Sequence, residues 1–330
     1  MSYCSENRLP STTPMRRLLE VIELLDFKKV QDGLKIDGQV AAYNWNGNNG
    51  NIAFVGIELY VYRHTDYISV QTRTRVGRSY WDLQHQNKTI SLLRSLFGGS
   101  FVTDEGTNRY MTFDVPEPTR IERSLYLDRW RFEAAVQKPQ LYFSSRNLTG
   151  DIAKNKSTGL PWMDEINPRI LSNNMMLPYL IGCWESYFRN SFISLLKYAD
   201  DVSPRALRNS RITTTDYMRV IHGEVTLEKL LTDSLSFQRP SIISENFRAL
   251  NSKIDIAAWL RKPYHRRKKS LFDSITEVIE TRDLIVHTGI TDLEIFDEQI
   301  QSIIADLIAA VNRVYRGFGE VFLFEPIFDF

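Results

Sequence analysis

The sequence predicts an α+β chain in which a β-rich N-terminal domain precedes an all-α helical bundle. Three observations carry that prediction. In YISVQTRTRV, Ile68, Val70, Thr72, Thr74 and Val76 alternate with Ser69, Gln71, Arg73 and Arg75, the period of a strand with one covered face. Beyond about residue 168 the period becomes 3.6, with Ile181, Trp184, Phe188, Leu195 and Tyr198 on one stripe, flanked by Phe192 and Leu196. Between the two textures, residues 146–168 are rich in Asn, Lys, Gly, Ser and Pro, the composition of a linker.

The size suits this division. A chain of 330 residues is long for one domain, and 43% hydrophobic with 25% charged residues is a globular composition. Disorder, collagen-like repeats and coiled coil are excluded as whole-chain descriptions. Lys plus Arg number 41 against 40 for Asp plus Glu, so any attraction to nucleic acid must come from local clustering. Cys4 and Cys183 can supply neither a zinc site nor a disulfide framework. The N-terminus has no apolar h-region and no run reaches the ~18 apolar residues of a membrane span, so a soluble cytoplasmic protein is expected. The sequons at Asn87, Asn147 and Asn155 then read as chance matches.

In chain order, residues 1–17 are polar with two prolines and read as a flexible N-terminus. Residues 18–150 form the β-rich domain, a sensor or specificity unit. In it Asn46-Gly47-Asn48-Asn49-Gly50 signals a turn before the strand run NIAFVGIELYVY. A short helix from Thr89 to Phe97 stops at Gly98-Gly99, and further strands are expected near Arg109–Phe113 and Gln140–Phe143. Residues 151–168 are the linker and 169–330 the helical domain. There Thr291-Asp-Leu-Glu294 reads as a capping box, followed by the stripe Phe296, Ile300, Ile303, Leu307, Val311, Val314 and Phe318.

One helix departs from its own pattern. Ser270 with Asp273 marks its start and Gly289 its stop. Between them Leu271, Ile275, Val278, Ile279, Ile285 and Val286 trace a buried stripe, into which the sequence inserts Arg282. A guanidinium on an apolar seam is costly unless it is paired or faces a cleft. His287 lies in the last turn, where carbonyl ends favour an imidazolium. Asp283, four residues earlier on nearly the same face, is placed to orient it.

Arg282-Asp283-Leu-Ile-Val-His287 resembles the motif of HEPN superfamily ribonucleases: Arg, a polar residue, three others, then His. The resemblance covers roughly residues 169–320 and implies a HEPN-like helical bundle with the motif on a late helix. It further implies homodimerisation that brings two motifs to one cleft, and RNA cleavage with no metal or other cofactor. His287 would then be the general acid or base at the ribose 2′-hydroxyl or leaving oxygen, Arg282 would hold the scissile phosphate, and Asp283 would orient His287. Proteins of this make-up act as toxins or anti-phage effectors, in some cases neutralised by a nucleotidyltransferase that modifies a Tyr two residues after the motif His. Gly289 occupies that position here.

The run Arg261-Lys262-Pro-Tyr264-His265-Arg266-Arg267-Lys268-Lys269 has six fixed positive charges and no acid, and suits RNA-backbone binding; its bland alternative is a solvated loop. Arg205, Arg208, Arg211 and Arg219 add a looser basic stretch. Glu185 and Arg189 form an i,i+4 pair, with Glu185 alternatively reaching Arg282 from the neighbouring helix. His64, His222 and His265 lack metal-ligand spacing, and Arg78 with His85 is set aside as lying in the non-helical half. Arg73 and Arg75 read as solvated strand residues, or as an anion site. No P-loop, dinucleotide loop, zinc motif or Gly-x-Ser-x-Gly elbow is present. The expectation is a metal-independent endoribonuclease; the alternative is a catalytically silent HEPN-like module for nucleic-acid binding or assembly.

Overall fold

The computed structural model describes residues 2–30, 37–46, 55–75, 78–113, 117–148, 155–200 and 213–328. The α+β class is as expected: an N-terminal antiparallel sheet and C-terminal helices. The chain divides into two compact units, Met1–Pro118 with Ile327–Phe330, and Thr119–Pro326. No helix among the described residues is long and apolar enough to cross a membrane.

The first unit is a seven-stranded sheet in the order β2-β3-β4-β5-β1-β6-β7, every neighbouring pair antiparallel. The strands are β1 (Tyr3–Pro10), β2 (Lys28–Lys29), β3 (Gln39–Trp45), β4 (Ile57–Arg63), β5 (Tyr67–Thr74), β6 (Ser100–Thr103) and β7 (Gly106–Thr107). Helices α1 (Met15–Leu24) and α2 (Tyr80–Phe97) send Leu18, Ile22 and Leu93 into one core with Leu9, Leu59, Val61 and Val70.

Several expectations for this unit are corrected. Residues 1–17 are not a flexible tail: β1 is an interior strand, paired with both β5 and β6. Its inward side chains include Ser5 and Asn7, and the Asn7 amide donates to the Ile90 carbonyl (3.2 Å). Inward polar side chains of this kind hide the apolar alternation by which a strand is recognised. The strand expected near Arg109–Phe113 is absent because the side-chain amide of Asn87 takes the place of a neighbouring strand. It donates to the Met111 carbonyl (2.7 Å) and accepts from its N–H (3.2 Å).

Helix α2 starts nine residues before Thr89, at a capping box between Ser79 and Asp82. His85 therefore lies on a helix, contrary to the reason for setting it aside. It stacks on Trp45 with ring centroids 3.9 Å apart, and burial pushes its imidazole down to about 4. The turn at Gly47–Gly50, the start of the NIAFVG run and Val76 lie outside the described residues.

The second unit begins about fifty residues before position 169. Residues 120–148, read as the end of the β-rich domain with a strand at Gln140–Phe143, form α3 (Arg120–Leu148). Leu125, Phe132, Val136 and Phe143 are its buried stripe, interrupted by a buried Arg129 and by Pro139 inside the helix. A charged residue on the seam and a helix breaker together erase the sequence signal. The expected linker contains the short α4 (Pro161–Asp164), and α5 (Pro168–Tyr198) follows. Smaller helices come next: α6 (Thr214–Ile221), α7 (Leu227–Asp233), α8 (Pro240–Leu250) and α9 (Ile256–Arg261). The unit closes with α10 (Leu271–Thr288) and α11 (Asp297–Phe322). Helix α11 starts at Asp297, not at the Thr291–Glu294 box, and Ile300, Leu307, Val311, Val314 and Phe318 on its stripe are buried. Arg205, Arg208 and Arg211 lie outside the described residues.

Asp297, the first residue of α11, joins three helices. Its carboxylate accepts from Arg146 of α3 and Arg169 of α5, each at 2.5 Å, and from the Asn173 amide at 3.0 Å. All of these groups are buried. On α3, Asp128 is fully buried against the Ser194 hydroxyl (2.7 Å), and burial pushes its carboxyl up to about 7.

Candidate functional site

Helix α10 carries the motif. The Ser270 side chain accepts from the Asp273 N–H (3.2 Å), and Gly289 closes the helix at φ 71°, a conformation costly for a side-chain-bearing residue. Leu271, Ile275 and Ile279 are buried and Val278 is half-buried. The stripe then ends sooner than expected: Ile285 is half-buried, and Leu284 and Val286 are 53% and 49% exposed.

Arg282 is half-buried where the stripe gives out. Its Nη1 donates to Asp283 (2.9 Å), while its Nε–H is enclosed and has no hydrogen-bond partner. Asp283 also accepts from the Gln238 amide (3.0 Å) and from Arg239 (3.5 Å). Burial works to raise the Asp283 carboxyl, but the hydrogen bonds from Arg282 and Gln238 outweigh it and hold the group below its ordinary value. Gln238 and Arg239 precede α8, and the Gln238 carbonyl is pinned by the buried Trp184 indole N–H at 3.0 Å. The sequence reading missed both residues; the Arg-Pro step at the start of α8 was their only local mark.

His287 is exposed in the last turn of α10 and has no hydrogen bond among the described residues. The expected Asp283–His287 contact is not formed. Helical spacing brings the two residues to one face, but three donors on the other side draw the carboxylate away. Glu185 is half-buried and makes no ion pair among the described residues, Arg282 and Arg189 included. Arg189 pairs with Asp233 of α7 at 3.3 Å. The site is thus two guanidiniums, Arg282 and Arg239, flanking one carboxylate, with a free imidazole one turn further on. Its local excess of positive charge suits a phosphate, and the imidazole can carry a proton.

The basic run falls into two sets. Arg267 pairs with Asp306 of α11 (2.7 Å), Lys269 pairs with Glu277, and the Arg261 guanidinium lies 4.0 Å over the Phe272 ring. The loop is gathered by Arg313 of α11, which donates to the carbonyls of Trp259 (3.3 Å), Lys262 (2.7 Å) and Pro263 (3.0 Å). His265 and Arg266 take positive φ (48° and 57°), and the Arg267 N–H closes the turn on the Tyr264 carbonyl. The side chains of Lys262, Arg266 and Lys268 are exposed and make no ion pair among the described residues. Half of the run is therefore fixed by the fold and half faces solvent. Close in sequence, the run and the motif are apart in space: at 1.5 Å rise per residue, Arg282 lies about 18 Å and His287 about 25 Å along α10 from Ser270.

Arg219 of α6 is flanked by Asp216 (3.7 Å) and Glu224 (3.8 Å), which offset its charge. Of the strand arginines, Arg75 pairs with Glu58, and Arg73 is exposed without an ion pair or hydrogen bond among the described residues. No cluster of three or more His, Cys, Asp or Glu among the described residues could hold a metal ion. No family model, no curated protein and no solved structure matches the chain.

Proposed function

We propose that the helical unit is a metal-independent endoribonuclease of the HEPN kind, acting as a homodimer. The observation that carries this reading is the pairing of a constrained Arg282, one buried N–H still unpartnered, with a solvent-facing His287 one helical turn and a half away on α10. In this reading Arg282, supported by Arg239, holds the scissile phosphate and meets the charge that builds on it. His287 takes the proton from the ribose 2′-hydroxyl or returns one to the leaving oxygen. Asp283 positions the guanidiniums instead of the imidazole, a role different from the one its spacing implies.

A single chain supplies one imidazole, whereas acid–base cleavage uses a base and an acid. A second copy provides the other, and the exposed Leu284, Val286 and Ile290 beside His287 supply apolar surface for it to cover. A role as a toxin or anti-phage effector in the cytoplasm follows from the resemblance alone. The alternative, a silent module that binds nucleic acid, is favoured by one observation: among the described residues no side chain orients His287.

RNA degradation in the presence of EDTA decides between the two. The wild-type chain should cleave RNA to 2′,3′-cyclic phosphate or 3′-phosphate ends, and His287→Ala should abolish turnover while retaining RNA affinity. Products with 3′-hydroxyl ends, or equal rates for both proteins, would remove the ribonuclease reading.

A further inference from the structure

The face of the sheet turned away from α1 and α2 holds a cavity of about 780 Å³, within the range of small-molecule sites. Strand register sets what lies on it. Asn44, Glu58, Arg73 and Cys4 are successive partners across β3, β4, β5 and β1, and Tyr60 and Gln71 are partners in the next row. Tyr62 stands two residues beyond Tyr60 on the same face of β4.

The charges on this face are unequally committed. Glu6 accepts from Ser69 (2.8 Å) and Arg8 (3.0 Å). Glu58 is held by Arg75 and by the Tyr60 hydroxyl (3.4 Å), and Asp104 accepts from the Cys4 N–H (3.0 Å). Arg73 lines the cavity, is exposed, and has no ion pair or hydrogen bond among the described residues. Although Arg73 stands directly opposite Glu58 in the ladder, Arg75 on the diagonal has taken that carboxylate. Among the described residues the Asn44 amide and the Tyr62 hydroxyl likewise have no partner, and the Gln39 side-chain oxygen Oε1 is enclosed without a donor.

Geometry then selects the ligand. Side chains at i and i+2 of a strand stand about 6.8 Å apart, a gap that admits one planar ring between Tyr60 and Tyr62, whose rings make no contact with each other. Base stacking on tyrosine tolerates any base. Unspent amide donors and acceptors read the edges of a heterocycle, and the uncommitted guanidinium takes an anion. Arg8 and Arg75 from outside the cavity offset Glu6 and Glu58, which leaves Arg73 against Asp104 among its lining charges; that balance suits one phosphate and opposes a long polyanion. We propose that this face binds a nucleoside monophosphate, its base between Tyr60 and Tyr62 and its phosphate on Arg73. The proposal is independent of the reading of the helical unit.

The test is calorimetric titration of the intact chain with AMP, GMP, CMP and UMP, with the four nucleosides and inorganic phosphate as further probes. At least one monophosphate should bind saturably, tenfold or more tightly than its own nucleoside and than phosphate. Arg73→Gln should reduce that affinity to the nucleoside's, and Tyr62→Leu should lower it at least tenfold, both with unchanged circular dichroism. Arg73→Gln keeps the test decisive should Tyr62→Leu fail to fold, because the Arg73 side chain is exposed and supports nothing. Absence of saturable binding at millimolar monophosphate would overturn the proposal, and so would affinity unaffected by Arg73→Gln. An RNA oligonucleotide that binds more tightly than every monophosphate and is lost in Arg73→Gln would overturn it in favour of a strand-binding face.

Discussion

Asp297→Ala should unfold the helical unit at a markedly lower temperature. The carboxylate lies between Arg146 and Arg169, at 2.5 Å from each, with Arg146, Arg169 and Asp297 all under one-tenth exposed. Removing one partner of a buried pair costs about 3–5 kcal/mol, because the remaining charge keeps its desolvation penalty and loses its compensation. Two guanidiniums share this carboxylate, so the cost belongs to the triad and is not doubled. For a unit of this size each kcal/mol moves the midpoint by about 2–4 °C, which gives a fall of roughly 6–20 °C. Burial works to raise the Asp297 carboxyl, but hydrogen bonds from Asn173, Arg146 and Arg169 prevail and hold it low. A lowered folded value means stabilisation that is complete above the unfolded carboxylate value of about 3.9 and is lost as pH falls through the folded one. Scanning calorimetry at pH 7 and between pH 2 and 4 reads both effects. A shift under about 2 °C at pH 7, or wild-type and variant curves that remain parallel through the acid range, would refute the reasoning.

Arg282→Ala should leave the melting temperature unchanged or slightly raised, since it removes a buried unpartnered N–H and leaves Asp283 with Gln238 and Arg239. RNA turnover should fall by about 10²–10³, by analogy with loss of an oxyanion-hole donor, as read in a gel assay. Neutralising Lys262, Arg266 and Lys268 should weaken RNA binding and flatten its salt dependence without altering stability, whereas Arg267→Gln should also lower the melting temperature by breaking its pair with Asp306; titration across salt and a melt of each protein separate the two. Ser in place of Leu284 and Ile290 should shift the chain toward monomer in analytical ultracentrifugation and reduce turnover with it. Asp128→Asn should raise the melting temperature at pH 8.5 and hardly change it near pH 3.5. The wild-type carboxyl is raised by burial, so the stability gained by keeping it protonated is complete only below the unfolded carboxylate value of about 3.9 and is lost as pH rises from there through about 7.

The sequence alone determined the α+β class, because period 2 in Ile68–Thr74 and period 3.6 in Trp184–Leu195 each reflect one face that must leave water. It determined the cap at Ser270 and the stop at Gly289, which act within one turn of backbone. It also marked Arg282 as out of place, since a guanidinium following Leu271, Ile275 and Ile279 breaks an apolar row whatever packs against it. What failed were segments whose polar residues are satisfied from far along the chain. β1 reads as a tail because Asn7 finds the Ile90 carbonyl, and α3 reads as irregular because Arg129 and Arg146 find partners in α11. The site failed in the same way: Asp283 turns to Gln238 and Arg239, more than forty residues away, instead of to His287 on its own helix. Likewise the division of the basic run between Asp306, Glu277 and open solvent depends on where α11 passes. Periodicity and caps are local and therefore written in neighbouring residues; which buried or half-buried charge meets which partner depends on distances between helices, and only the folded chain sets those.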